Sequence, residues 1–147
     1  MATTYRGAKD EMLGALKSRW DADTPAVYGG SIPTIFWDGV PPAKPDPTAS
    51  WAFPTIRHAA GSQVSLSDPS GLRRFEKNGI ITVSVFSPIV KGFPLGETLA
   101  EIAKKAFEGR STPGGVWFKN VRIVEVGPDG PWYQWNVLAE FRYDELV

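Results

Sequence analysis

His58 is the single histidine of the 147-residue chain, so any imidazole chemistry has to run through it. A catalytic or structural zinc needs three or four convergent nitrogen, sulfur or carboxylate ligands. No cysteine is present, and no carboxylate stands at a ligand spacing from His58. Serine–histidine acyl transfer would need a serine presented on a sharp elbow, and no Gly-x-Ser-x-Gly run occurs. The carboxylates Asp10, Glu11, Asp21, Asp23, Glu97, Glu101, Glu108 and Glu125 are scattered and read as solvated faces of helices and strands. Thr112-Pro113-Gly114-Gly115 lacks the lysine and the following helix that a phosphate-cradling loop requires. The residues therefore predict no catalytic, cofactor or metal site, and a protein that is not an enzyme. His58 reads as structural or solvated.

Two other features suit recognition. Arg73, Arg74 and Lys77 form the densest basic cluster, as a contact with an acidic partner surface would use. Trp132-Tyr133-Gln134-Trp135 offers aromatic anchors of the kind that dominate interfaces. Strict alternation along that run places Tyr133 and Trp135 on a buried face and leaves Trp132 outside. The candidate assembly interface is thus Arg73, Arg74, Lys77 and Trp132.

Composition narrows the class. Apolar residues make up 42% and charged residues 22%, with 16 basic against 16 acidic side chains. A dedicated nucleic-acid binder carries a basic excess that neutralises phosphates, and none is present. Zero net charge gives little self-repulsion and favours association. No run approaches the roughly 20 apolar residues of a membrane-spanning helix, and the N-terminus has no signal-peptide stretch. The expectation is a protein retained in the cytoplasm of the cell that makes it.

The elements that would position these residues read as follows. Tyr5, Ala8, Met12, Leu16 and Trp20 recur at three- and four-residue spacing and predict a helix over 4–20, capped by Thr3 or Thr4 and ended by Asp21 to Pro25. Residues 33–37 predict a short strand. Residues 38–50, with Pro41, Pro42, Pro45 and Pro47, predict a long exposed loop within one domain spanning 1–147. Residues 51–58 predict a second strand at a sheet edge, because Pro54 lacks a ladder donor, and 63–66 could extend it. Residues 67–78 read as a polar loop. Gly79 to Ser87 is rich in β-branched residues and predicts a strand stopped by Pro88 and Gly92. Leu95, Leu99, Ile102, Ala103, Ala106 and Phe107 form one stripe of a helix over 94–108, with Pro94 in its first turn, Gly109 at its C-cap and a Glu101–Lys105 pair outside. Residues 116–126 and 132–143 predict two strands joined by a turn at Gly127-Pro128-Asp129-Gly130, the first shifting phase near Asn120 as a bulge would. The fold class is α+β, an antiparallel sheet with two packed helices in the order α-β-β-β-α-β-β.

This combination resembles the tail terminator, or tail-completion, proteins of long-tailed bacteriophages, the lambda-type terminators among them. The resemblance covers most of the chain and is strongest over about 73–145. It is carried by Arg74 followed by Gly79-Ile-Ile-Thr-Val-Ser-Val-Phe-Ser-Pro88, a link containing Gly92 and the helix ending near Phe107. It continues through the strand from Val116 to Val126, a Gly-Pro turn, Trp132-Tyr133-Gln134-Trp135-Asn136-Val137 and Phe141-Arg142-Tyr143-Asp144. The resemblance implies a structural virion protein assembled in the host bacterial cytoplasm, a homo-oligomeric ring, as a hexamer, at the head-proximal end of the tail. Such a ring caps the tail tube protein, stops tube polymerisation and presents a surface to the head–tail connector protein. It implies no membrane contact, no cofactor and no tight nucleic-acid binding, although DNA passes through the ring. Ring formation needs heterologous contacts that close, and the segments 38–50, 67–78 and 109–115 are candidates for them. Three other readings stand beside it: another phage neck, head-closure or minor tail protein, an aromatic-rich carbohydrate- or ligand-binding module, and a hydrolase acting through His58.

Overall fold

The structure is a computed structural model that describes residues 3–38, 46–63, 71 and 73–146. Helix α1 spans Tyr5–Asp23. Thr4 caps it, its hydroxyl accepting a hydrogen bond from the Gly7 amide at 3.0 Å, which satisfies one of the unpaired donors of a helix start. Ala8, Met12, Leu16 and Trp20 lie fully buried on one face, as their spacing predicts. Tyr5 belongs to that stripe by spacing but is half exposed. It sits in the first turn, where the helix reaches past the core. The helix runs three residues beyond the expected end and closes on a single 3-10 turn at Thr24–Ala26.

Helix α2 spans Phe93–Lys105, with Pro94 in its first turn. The following turn ends at Gly109, whose φ of 68° needs glycine, so the expected C-cap is present. The i,i+4 ion pair on this helix is Lys104–Glu108 at 3.2 Å rather than Glu101–Lys105. Its buried stripe of Leu99, Ala100, Ile102 and Ala103 faces the sheet. At Gly96 the helix backbone rests on the Trp135 indole so closely that a Cβ there would come within 2.1 Å of the ring.

Five strands form the sheet: β1 (Thr34–Ile35), β2 (Trp51–Gln63), β3 (Arg74–Pro88), β4 (Trp117–Asp129) and β5 (Trp132–Leu146), in the spatial order β1-β2-β3-β5-β4. Four of them are antiparallel, as expected. β1 is not: it pairs parallel to the start of β2, Thr34 opposite Trp51. Residues 36–50 connect the two, and a connection of that length can carry the chain back to begin a parallel neighbour, which a tight hairpin cannot. The sheet is therefore mixed. Pro54 does lie on an open edge, because β1 covers only the first two positions of β2.

The largest correction concerns residues 74–78. Their polarity predicts a loop, yet they begin β3: 74–78 pair with β5 through Arg142–Leu146, and 75–78 pair also with β2 through Ala60–Gln63. Backbone groups satisfied on two sides outweigh side-chain polarity. The expected phase shift in β4 is present: its register slips between Lys119 and Arg122, and Asn120 adopts a φ of 52°. A second slip between Glu125 and Gly127 absorbs Gly127 into the strand. The hairpin turn consequently falls at Gly130-Pro131, beyond the expected start. Residues 39–45, 64–70 and 72 lie outside the described residues, and with them most of the proline-rich loop, the possible extension at 64–66 and part of the 67–78 segment.

The core is one cluster between the helices and one sheet face. It joins Met12, Leu16 and Trp20 of α1 and Leu99 and Ile102 of α2 to Val83, Val85, Trp135, Val137 and Phe141 of the sheet. Among the described residues, both helices lie on this face.

Candidate assembly surfaces

The four residues singled out from the sequence do not form one site. Arg74 pairs with Leu146 at one end of the β3–β5 ladder, and Trp132 pairs with Pro88 at the other. At 3.3 Å per residue these ends are about 45 Å apart. Arg74 and Lys77 also part company, because an odd spacing along a strand puts them on opposite faces. Arg74 lies 3.7 Å from the Asp144 carboxylate. Lys77 points to the helix side and lines a 360 Å³ cavity with Tyr5, His58, Tyr143 and Glu145. Arg73 is exposed at the foot of β3. Trp132 is half-buried, and its indole N–H donates to the Ala49 carbonyl at 3.0 Å. Its ring packs edge-on against Trp51 at 5.6 Å. Trp132 thus pins the segment before β2 to the start of β5.

At the foot of β3 the chain holds an aromatic cluster around His58. Its Nε2 lies 2.7 Å from the Tyr143 hydroxyl. The Tyr5 ring covers it at 4.5 Å, and Phe141 meets it edge-on at 5.1 Å. His58 Nδ1 is buried without a hydrogen-bond partner among the described residues. Burial, and then the charges of Lys9 and Lys77, push the His58 pKa below its ordinary value, against a smaller upward pull from Glu145. Burial first, then Glu145 and Tyr5, push the Tyr143 phenol up to about 12. The uncharged forms of both rings are the ones that fit. A lowered folded-state pKa means that the unfolded chain takes up the proton first. We expect full stability above about pH 6.5, declining as the pH falls from there through the lower folded-state pKa. Urea midpoints measured at pH 8 and pH 5 test this. His58→Phe should flatten that part of the profile, and an unchanged slope in the variant would place the source elsewhere.

The opposite end carries apolar residues that the sequence reading passed over. Ile89, Val90 and Phe93 are 43%, 90% and 47% exposed. The Ile89 amide donates to the Pro131 carbonyl at 2.9 Å, which fixes this turn beside the β4–β5 hairpin. A signal was present: an Ile-Val pair between Pro88 and Gly92 lies where a strand has stopped and no helix has begun.

A third feature lies between the helices and the segment 109–115. The Glu11 carboxylate accepts hydrogen bonds from the Thr112 hydroxyl and the Gly114 amide, tying this segment to α1. Next to that tie runs a groove of about 580 Å³, lined among others by Ala15, Ala22, Ala106 and Phe118, with Arg19 and Arg110 along it. Among the described residues no group of three or more acidic, histidine or cysteine side chains is placed to hold a metal ion. No helix of the described residues is long and apolar enough to cross a membrane.

No family model matches the chain, and no curated protein matches its sequence. Solved structures do match its shape. One, whose name carries no functional description, is 16% identical with a TM-score of 0.63, over 92% of this chain and 94% of its own. Another is a chain from the virion of a native gene transfer agent particle, 18% identical with a TM-score of 0.53, over 96% of this chain and 99% of its own. At these identities the likeness establishes a shared fold, and it runs nearly end to end in both chains.

Proposed function

We propose that the chain is a structural protein of a phage-type virion, and within it the tail terminator: a ring that caps the tail tube at its head-proximal end, stops tube polymerisation and forms the joining surface for the head connector. The observation that supports this most is the end-to-end likeness of fold to a chain of a gene transfer agent virion. It agrees with the resemblance carried by the residues of β3, α2, β4 and β5. The surface chemistry is compatible with it. The two ends of the sheet differ, one bearing the charged side chains Arg73, Arg74 and Lys77, the other the exposed apolar side chains Ile89, Val90 and Phe93. A ring between a tube and a connector needs two unlike axial faces, and loops on a rigid sheet supply them. In this reading the protein acts by assembly rather than catalysis, with copies of itself, the tube protein and the connector protein as partners, and its place is the head-proximal end of the tail.

The test is the solution mass by light scattering, followed by negative-stain imaging of the same sample mixed with purified tail tubes. Rings, or one extra disc at a tube end, are the expected result. Binding to filled heads in place of tubes would move the protein to the head-closure side of the neck. A monomer that ignores both would remove the proposal.

A further inference from the structure

On the assumption that the ring reading above is right, we propose how neighbouring copies hold together: the β4–β5 hairpin tip of one copy seats in the α1 groove of the next. Edge-to-edge strand pairing is the first alternative to weigh, since β4 and most of β2 have open edges. Both edges are blunted. β4 has two register slips, and β2 has one between His58 and Ala60 as well as Pro54. Bulges and proline are the devices by which natural sheets avoid pairing with other chains. Side-chain complementarity is what remains to join the copies.

The chain carries both halves of such a contact. On the hairpin, Glu125 and Asp129 are exposed and have no ion-pair partner among the described residues. Val124 and Val126 beside them are 43% and 52% exposed. In the groove, Arg110 is exposed, and its Nε donates to the Lys105 carbonyl. Its guanidinium has no ion-pair partner among the described residues. Arg19 lies farther along the same groove, 3.3 Å from Asp23. Between these cations the floor is small and apolar, from Ala22 to the buried Ala106 and Phe118. Glu125 pairs with Trp135 and Asp129 with Trp132, so the two carboxylates stand on opposite faces of the hairpin, one for each of the two arginines that border the alanine floor.

The placement suits a closed ring. Phe118 pairs with Phe141 near one end of the β4–β5 ladder, and Asp129 pairs with Trp132 at the other. The tip is therefore about 30 Å from the groove, too far for one copy to fill its own groove through this rigid hairpin. Knob and hole on separate parts of one chain make a heterologous contact, the kind that generates rings.

The experiment compares the full chain with Arg110→Glu, with the double variant Glu125→Arg/Asp129→Arg, and with all three substitutions together. These positions are exposed, so the monomer fold should survive, which circular dichroism checks. Light-scattering mass against concentration should show ring assembly shifted to at least about tenfold higher concentration in either reversal, because like charges are then juxtaposed. The combined variant should recover part of that loss, because the reversal at 110 restores one opposite-charge pair while Arg19 is unchanged. Ala22→Trp, which fills the groove without changing charge, should block assembly as well. A wild-type ring that Arg110→Glu and Ala22→Trp leave intact overturns the contact while the ring reading stands. Loss of tube capping with an unchanged ring mass assigns the groove to the tube protein and also overturns it. A wild-type chain that is monomeric alone and on tubes overturns the ring reading and this contact together.

Discussion

Gly79→Val is expected to destabilise the protein by about 4 kcal/mol, although valine is the better strand former. Intrinsic strand preference favours valine by up to about 1 kcal/mol. Space decides against it. Gly79 pairs with His58 on one side and Phe141 on the other. A Cβ there would lie 2.2 Å from the Arg57 carbonyl oxygen, 2.7 Å from the Phe141 ring and 2.8 Å from the His58 Cα. Two of those three neighbours are backbone, so no rotamer change relieves the contact. β2 would have to move off β3 in the middle of the sheet, a cost at or above the upper end of core overpacking. The slip between His58 and Ala60 places the β2 backbone near this position, and the Phe141 ring covers the gap that the missing side chain leaves. At this chain length about 4 kcal/mol lowers the melting temperature by roughly 10 °C. Urea and thermal unfolding check it, and a Gly79→Ala variant with a wild-type midpoint would show that the strands are farther apart than described.

Trp20→Ala should cost a similar amount, about 4 kcal/mol, for a different reason. The side chain is fully buried, and truncating a core tryptophan leaves a cavity. It also removes the indole donor to the Pro33 carbonyl, held at 2.8 Å. That bond fastens the start of β1 to α1, and β1 has only two residues with which to hold its place. Trp20→Phe separates the two contributions: it keeps most of the volume, loses the bond, and should cost about 1–2 kcal/mol. Proteolysis within 27–33 should accelerate in both variants as β1 loosens. If Trp20→Ala costs less than about 1 kcal/mol, α1 is not packed as described.

The two basic positions Arg74 and Lys77 show how much a linear reading conceals. Three residues apart, they look like one patch. On a helix they would be one, but on a strand they face opposite ways, so the grouping depended on whether 74–78 was loop or strand. That choice was made by partners 12 or more residues away in the chain, in β2 and at the end of β5. Trp132 is similar. Alternation correctly put it on the other face from Trp135, yet facing away from the core did not leave it free, because Ala49 and Trp51 reach it from another part of the chain.

What the sequence by itself determined are the features set by neighbours a few residues apart. These are the buried stripe of α1, the Thr4 cap, the Gly109 stop, the alternation of β5 and the bulge at Asn120. Their causes are local, namely the 3.6- and 2-residue periods, one hydroxyl reaching one amide, and backbone angles that only certain residues adopt. The tertiary structure alone decided the parallel entry of β1, the strand nature of 74–78, the close approaches at Gly79 and Gly96, and the groove beside Arg110. Each of these depends on where a distant segment lies, to within about an ångström for the two glycines. Neither periodicity nor propensity carries that information, because both describe a residue's own element and not the partner packed against it.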